Sequence, residues 1–321
     1  MLISVIAIAA GLALLLWSAS RFVTAASGLA ALLGIPPLLI GMIVIGFGTS
    51  APELTVSSLA AASGNPGIAL GNAYGSNIAN IALILGLTAQ VRPITIRSQV
   101  LRNELPILLA VTAIAGFQLL DGNVSRVDAI VLLAVFALLL GWSIFAARRR
   151  PEDALEDDVT QQLQTHRSSG ALAGTIWLVV SLVILVAASR LLVWGAADIA
   201  ERLGLSDLVI GLTIVAVGTS LPELASSVVA ARRGEHELAF GNVLGSNLFN
   251  TLAVVGLAGL IAPLPAPEGL VSRDLPVLIG LTILLMAFGM GFRGPGRISR
   301  LEGGVLIGAF VVYTSWILTS P

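Results

Sequence analysis

Residues 41–54 read GMIVIGFGTSAPEL, and residues 211–224 read GLTIVAVGTSLPEL. The second stretch is the first one rewritten 170 residues later. Working outward, GNAYGSNIAN (71–80) returns as GNVLGSNLFN (241–250), and NELP (103–106) returns as RDLP (273–276). Aligned without gaps, 34–90 and 204–260 agree at 23 of 57 positions. The chain is therefore two copies of one unit, and the copies match best where they are most apolar.

Composition says where such a chain belongs. Of 321 residues, 56% are hydrophobic and only 11% charged, with mean hydropathy +0.98. Soluble domains carry about 25% charged residues. A chain this apolar would expose patches that soluble proteins do not tolerate. Soluble enzymes, disordered proteins and nucleic-acid binders are excluded. Net charge is −1, which implies no polyanionic partner. Cys is absent, so thiol chemistry and thiolate metal sites are excluded too, and His166 and His236 lie in polar stretches.

A spanning helix needs about 20 mostly apolar residues. Ten candidates are expected, near 2–24, 35–62, 67–90, 102–119, 126–147, 171–193, 205–231, 237–261, 274–292 and 302–320. The first has no basic region before it and reads as an uncleaved helix. The fold class expected is all-α, a polytopic membrane protein. Five spans per half is an odd number, so the second half enters the membrane the other way up. The expected organisation is a five-helix repeat over 1–147, a polar linker over 148–170 and an inverted five-helix repeat over 171–321. Inverted repeats of this kind are typical of secondary transporters, with sites near the midplane. The linker holds Arg148–Arg150 and then five acids, and it contains no EF-hand pattern.

All 17 basic residues are Arg. With ten spans, 13 of the 17 fall on the side away from both termini. The positive-inside rule makes that side cytoplasmic and puts both termini outside.

Two acids lie deep in apolar spans, Glu53 and Glu223, at matching places in the copies. A charge there costs several kcal/mol and normally faces a polar cavity or a partner. No Arg lies deep enough to pair with them, and a bound cation fills that role. Thr49 and Ser50 precede Glu53 by four and three residues and share its helix face, as Thr219 and Ser220 do for Glu223. Pro52 and Pro222 remove a donor each, so the carbonyls of Gly48 and Gly218 are expected to be freed. In the next span Asn72, Ser76 and Asn80 recur every four residues, as do Asn242, Ser246 and Asn250. The Gly pairs 71/75 and 241/245 are expected to let helices approach closely. Against this stands the bland reading, in which buried Ser and Thr bond to their own backbone and Asn77 and Asn247 cap or pack. Two glutamates at repeat-related depths resist it. The donors are all oxygen, which suits hard cations such as Ca2+ and Na+ rather than Zn2+ or Cu+. Two carboxylates balance one Ca2+ or two Na+, and an empty site is expected to bind a proton.

On GTSAPE (48–53) with GSNIAN (75–80), and GTSLPE (218–223) with GSNLFN (245–250), the chain resembles the sodium/calcium exchanger family of the calcium/cation antiporter superfamily. The resemblance covers essentially the whole chain. It points to the bacterial and archaeal type, because 148–170 is too short to be the regulatory Ca2+-binding domain of the animal exchangers. The quoted stretches match the family's two α-repeats, here 41–80 and 211–250. The resemblance implies a central Ca2+ site on Glu53 and Glu223 with Thr49 and Thr219. It implies flanking Na+ sites on Ser50, Ser76, Ser220 and Ser246 with the carbonyls of Gly46 and Ala216. Asn80 and Asn250 add further oxygens, and the first and sixth spans resemble sliding gate helices. Ala51 stands where Leu is usual, a packing change. Asn250 stands where some relatives carry Asp, so the site's charge rests on the two Glu. The expected function is Ca2+ for Na+ exchange by alternating access in a cytoplasmic or inner membrane, with no cofactor and no protein partner beyond the lipid bilayer. A Ca2+/H+ antiporter is the nearest alternative, and K+ dependence stays open. An intramembrane enzyme with the two carboxylates as acid and base, and a channel, are the readings from other classes.

Overall fold

The computed structural model describes residues 1–33, 37–96, 98–148, 171–203, 216–289 and 296–319. They are mostly helical, and the helices run α1 Leu2–Leu33, α2 Leu38–Thr49, α3 Ala51–Ala62, α4 Pro66–Val91, α5 Ser98–Gln118 and α6 Arg126–Arg148, then α7 Ala171–Arg202, α8 Ala216–Thr219, α9 Leu221–Arg233, α10 His236–Ile261, α11 Leu270–Gly289 and α12 Arg300–Thr319. Among the described residues seven helices are long and apolar enough to cross a bilayer, and the bent pair α2–α3 makes eight. The expected span 205–231 is described only from Ala216 onward, and the expected span 302–320 coincides with the 20-residue helix α12. Apart from Arg148, the last residue of α6, the expected linker lies outside the described residues.

Two short antiparallel ribbons complete the fold. β1 (Ile94–Thr95) pairs with β4 (Arg297–Ile298), and β2 (Asn123–Val124) pairs with β3 (Leu264–Pro265). β1 and β3 occupy matching places in the copies, and each pairs with a strand from the other half of the chain.

The chain forms two compact units, each drawing on both halves. The first is Met1–Thr49 with Gly141–Asn242, and the second is Ser50–Leu140 with Val243–Pro321. In the first unit α1 and α7 run antiparallel. Gly195 lies against Ser4, Gly11 against Leu192 and Gly174 against Leu29. A Cβ on Gly11 or Gly195 would come within 2.9 Å or 2.7 Å of the neighbour's backbone, so small residues set how closely these helices pack. Phe22, Ala26, Ile45, Leu185 and Leu238 fill the core beneath them. In the second unit, Leu70, Tyr74, Ile78 and Leu85 on α4 are completely buried, with Leu105 and Leu108 of α5. Here α12 lies on α4, where a Cβ on Gly86 would meet the carbonyl of Gly303 at 2.9 Å. In the matching place α6 lies on α10, with Gly256 against Leu133.

Polarity is distributed as a lipid solvent requires. The Asn- and Ser-bearing helices α4 and α10 are the most buried spans, whereas α1, α6 and α7 keep apolar faces exposed. All five tryptophans, Trp17, Trp142, Trp177, Trp194 and Trp316, are exposed, and all but Trp17, which sits at the middle of α1, lie toward one end of their helices. That is the placement of interfacial anchors. The Arg21 guanidinium lies 5.9 Å from the ring centres of both Trp17 and Trp177.

Candidate functional site

The repeated motif breaks a helix twice. Between α2 and α3 the axis bends by 45° at Ser50, and Ser50 itself has φ −82° and ψ 8°. Ser220, between α8 and α9, has nearly the same backbone, φ −89° and ψ 7°. The cause is local. Pro52 and Pro222 sit in the first turn of the following helix, where a missing N–H is tolerated but the preceding helix cannot run through. Each break places a glutamate, Glu53 or Glu223, in the first turn of a new helix, where the aligned peptide dipoles favour a carboxylate. The spelling Ser-x-Pro-Glu is also that of a capping box. That structural role is not taken up: neither Ser50 nor Ser220 makes a side-chain cap hydrogen bond.

The first unit holds Gly46, Thr49, Ala216, Thr219, Ser220 and Glu223 of the expected residues. Glu223 is 1% exposed and Ser220 4%, whereas Thr219 is half-buried. Gly46 closes a π-helical turn, Gly41–Gly46, of the sort that recurs at functional sites because it offsets the backbone ladder. The Thr49 hydroxyl lies 3.0 Å from the carbonyl of Ile45, 3.3 Å from that of Gly46 and 3.2 Å from Asn242 Oδ1. The Ser220 hydroxyl is buried with no hydrogen-bond partner among the described residues. Ala216 begins α8, and its side chain lies outside what is described.

The second unit holds Ser50, Glu53, Ser76, Asn80, Ser246 and Asn250. All six are buried, Glu53 to 1% exposure. Asn80 and Asn250 each open a π-helical turn, Asn80–Ile84 and Asn250–Val254. Asn80 donates to Asn247 Oδ1 at 3.0 Å, and Asn77 donates to the Thr251 hydroxyl at 2.8 Å. Asn80 Oδ1 and both polar atoms of the Asn250 amide have no hydrogen-bond partner among the described residues. An unsatisfied buried polar group costs about 1–3 kcal/mol, so such groups call for an occupant.

One expectation needs correction. The carbonyl of Gly218, left without its helical donor by Pro222, accepts a hydrogen bond from the Ser189 hydroxyl of α7 at 2.8 Å. It is therefore not freed, because tertiary packing supplies the donor. The expected close approach is seen at Gly241. Among the described residues nothing lies within 4 Å of a Cβ at Gly71 or Gly75, whereas Gly241 crosses Gly41 of α2 so closely that its Cβ would lie 2.5 Å from the Leu38 carbonyl. Gly211, the repeat equivalent of Gly41, lies outside the described residues.

Other residues near the site were visible in the motifs without an assigned role. Asn72 donates to the backbone carbonyl of Glu53 at 3.0 Å and to Ser57 Oγ at 2.9 Å. Asn242 does the same for Glu223 at 3.0 Å, with Ser226 and Ser227. The recurrence of Gly-Asn in both copies is the sequence signal for them.

Comparison with known proteins now decides the family. A sequence profile described as sodium/calcium exchanger protein matches residues 3–145 and 173–319. The chain belongs to the sodium/calcium exchanger family. Members of this family are transporters, not enzymes, and the chain is accordingly an integral membrane protein. It is 41% identical to the putative antiporter CaxA of Alkalimonas amylolytica over 100% of both chains. It is 31% identical to the sodium/calcium exchanger MaX1 of Methanosarcina acetivorans, covering 94% of this chain and 95% of that one. Its fold is similar to the sodium-calcium exchanger NCX_Mj soaked with 10 mM Na+ and 10 mM Sr2+, with a TM-score of 0.83 and 30% identity over 100% and 99% of the two chains. The profile passes over 146–172, a stretch that includes most of the expected polar linker.

Proposed function

We propose that the chain exchanges Ca2+ for Na+ by alternating access, with Glu53 and Glu223 as the charged ligands. One observation carries this reading. Two buried glutamates each open a helix at a proline-induced break, in company with buried oxygen groups, and Ser220, Asn80 and Asn250 among these still need an occupant. Thr49 and Thr219 would join the glutamates around Ca2+. Ser50, Ser76, Ser220 and Ser246, with the carbonyls of Gly46 and Ala216, would take Na+, and Asn80 and Asn250 would add oxygens. The donor set is hard, and carboxylate, hydroxyl and carbonyl oxygens are what Ca2+ and Na+ take. The names of MaX1 and NCX_Mj as sodium/calcium exchangers support the choice of ions.

The reading extends to architecture. Ten spans form two inverted five-helix repeats, 1–147 and 171–321, joined by a cytoplasmic linker over 148–170. The two ribbons, in which repeat-related β1 and β3 each pair with the opposite half, support that symmetry. The distribution of Arg supports termini outside, and the name of the Escherichia coli inner membrane protein YrbG, 40% identical over 99% of this chain, supports the inner membrane. The antiparallel pair α1 and α7 would slide as the gate.

Proteoliposomes test the coupling ion. An outward-directed or inward-directed Na+ gradient is expected to drive Ca2+ against it, and a K+ gradient is not. Ca2+ movement driven by a pH gradient in the absence of Na+ would replace this reading with Ca2+/H+ exchange.

A further inference from the structure

Asn242 is 1% exposed, and every polar atom of its side chain is engaged. Nδ2 lies 3.0 Å from the backbone carbonyl of Glu223, 3.0 Å from Ser226 Oγ and 2.7 Å from Ser227 Oγ. Oδ1 accepts from the Thr49 hydroxyl at 3.2 Å. Chemistry fixes this orientation, since the reverse would set two acceptor oxygens 3.0 Å apart at Glu223. One amide thus joins a residue of the first repeat's motif to one of the second's, with Thr49 and Glu223 both in the same compact unit.

The Thr49 hydroxyl has a single proton and three acceptors within reach, the carbonyls of Ile45 and Gly46 and Asn242 Oδ1. A cation on the Gly46 carbonyl would occupy that acceptor and leave the proton to Ile45 or Asn242. The matching residue in the other copy, Asn72, has less to hold with. It reaches the Glu53 carbonyl and Ser57, but Val56 stands where Ser226 stands in the second copy.

We propose that Asn242 is a positioning residue that holds Thr49 and Glu223 in register, so that the Ca2+ affinity of the site depends on an amide that need not touch the ion. The proposal rests on the Na+/Ca2+ reading for its affinity prediction and on the hydrogen bonds alone for its structural one.

Two measurements on the full-length chain separate these. In proteoliposomes, Asn242→Ala is expected to raise the half-saturating Ca2+ concentration about tenfold, the effect of losing about 1.4 kcal/mol of ligand placement, with the maximal rate changed less than about threefold. In a cycle with Thr49→Val the two effects are expected to be non-additive, as for residues sharing one network. Asn72→Ala is expected to do less. In detergent, hydrogen exchange in Asn242→Ala is expected to rise at 221–227 and stay unchanged at 51–57. Should Asn242→Ala not accumulate, Asn242→Ser shortens the side chain by one atom and makes the same test. An unchanged half-saturating Ca2+ concentration, additivity with Thr49→Val, or equal exchange at 221–227 would each overturn the proposal. If the unaltered protein moves no Ca2+ under any gradient, the Na+/Ca2+ reading fails, and the exchange measurement alone decides the role of Asn242.

Discussion

Ser189 and Ala19 occupy matching positions in the two copies, and the difference decides what becomes of one carbonyl. Ser189 is buried and donates to Gly218, whose helical partner Pro222 has removed. Ser189→Ala is expected to destabilise the protein by about 1 kcal/mol, the ordinary net worth of a buried hydrogen bond. Thermal unfolding in detergent checks this, and an unchanged midpoint would mean the bond contributes nothing. Where the start of α1 meets the end of α7, hydrogen bonds from Arg202 and then from Ser4 hold the Asp198 carboxyl down to about 2. The folded value lies below the unfolded one, so this contribution is complete above about pH 4 and is lost as pH falls toward about 2. The difference in unfolding midpoint between the unaltered protein and Asp198→Asn is therefore expected to shrink over that interval. A difference that stays constant would show that the charge of Asp198 is irrelevant there.

At the scale of elements, close crossings and open glycines separate cleanly. Gly41 of α2 and Gly241 of α10 meet backbone to backbone, and a Cβ on either would lie 2.8 Å or 2.5 Å from a carbonyl oxygen. Neither helix can yield without moving the residues that follow Gly41 in its π-helical turn. Gly241→Val is expected to cost roughly 3 kcal/mol or to abolish assembly, at the upper end for overpacking. Among the described residues nothing lies within 4 Å of a Cβ at Gly141 of α6, so Gly141→Ala is expected to be neutral or to gain up to about 1 kcal/mol of helix propensity. Yield and thermal midpoint in detergent read both; a well-folded Gly241→Val protein would contradict the crossing. Much of this element-level structure was legible in the sequence. Pro52 and Pro222 announced the breaks, and the hydropathy announced the helices. The Gly spacing within one span pointed to Gly241, but its partner Gly41 was not legible, because the two are brought together by a contact between distant parts of the chain. The fate of the Gly218 carbonyl escaped for the same reason, since Ser189 reaches it from another helix.

For the whole molecule, charge is scarce and its placement carries the meaning. Four of the five tryptophans stand exposed toward helix ends, and the two carboxylates that enter the apolar spans are buried at matching breaks. The glutamates and the amides of Asn72 and Asn242 were readable from the chain because the repeat wrote them twice, while the bonds from those amides to the glutamate backbones became readable only in three dimensions. The account stands on those two carboxylates as the ligands of exchanged ions. Na+-driven Ca2+ flux in proteoliposomes, measured for the unaltered protein and for Glu53→Gln and Glu223→Gln at equal reconstituted amounts, tests this most directly. Robust flux is expected in the first and a fall to the leak of empty vesicles in both variants, since each removes one of the two charges that balance Ca2+. Flux in either variant equal to that of the unaltered protein would contradict it.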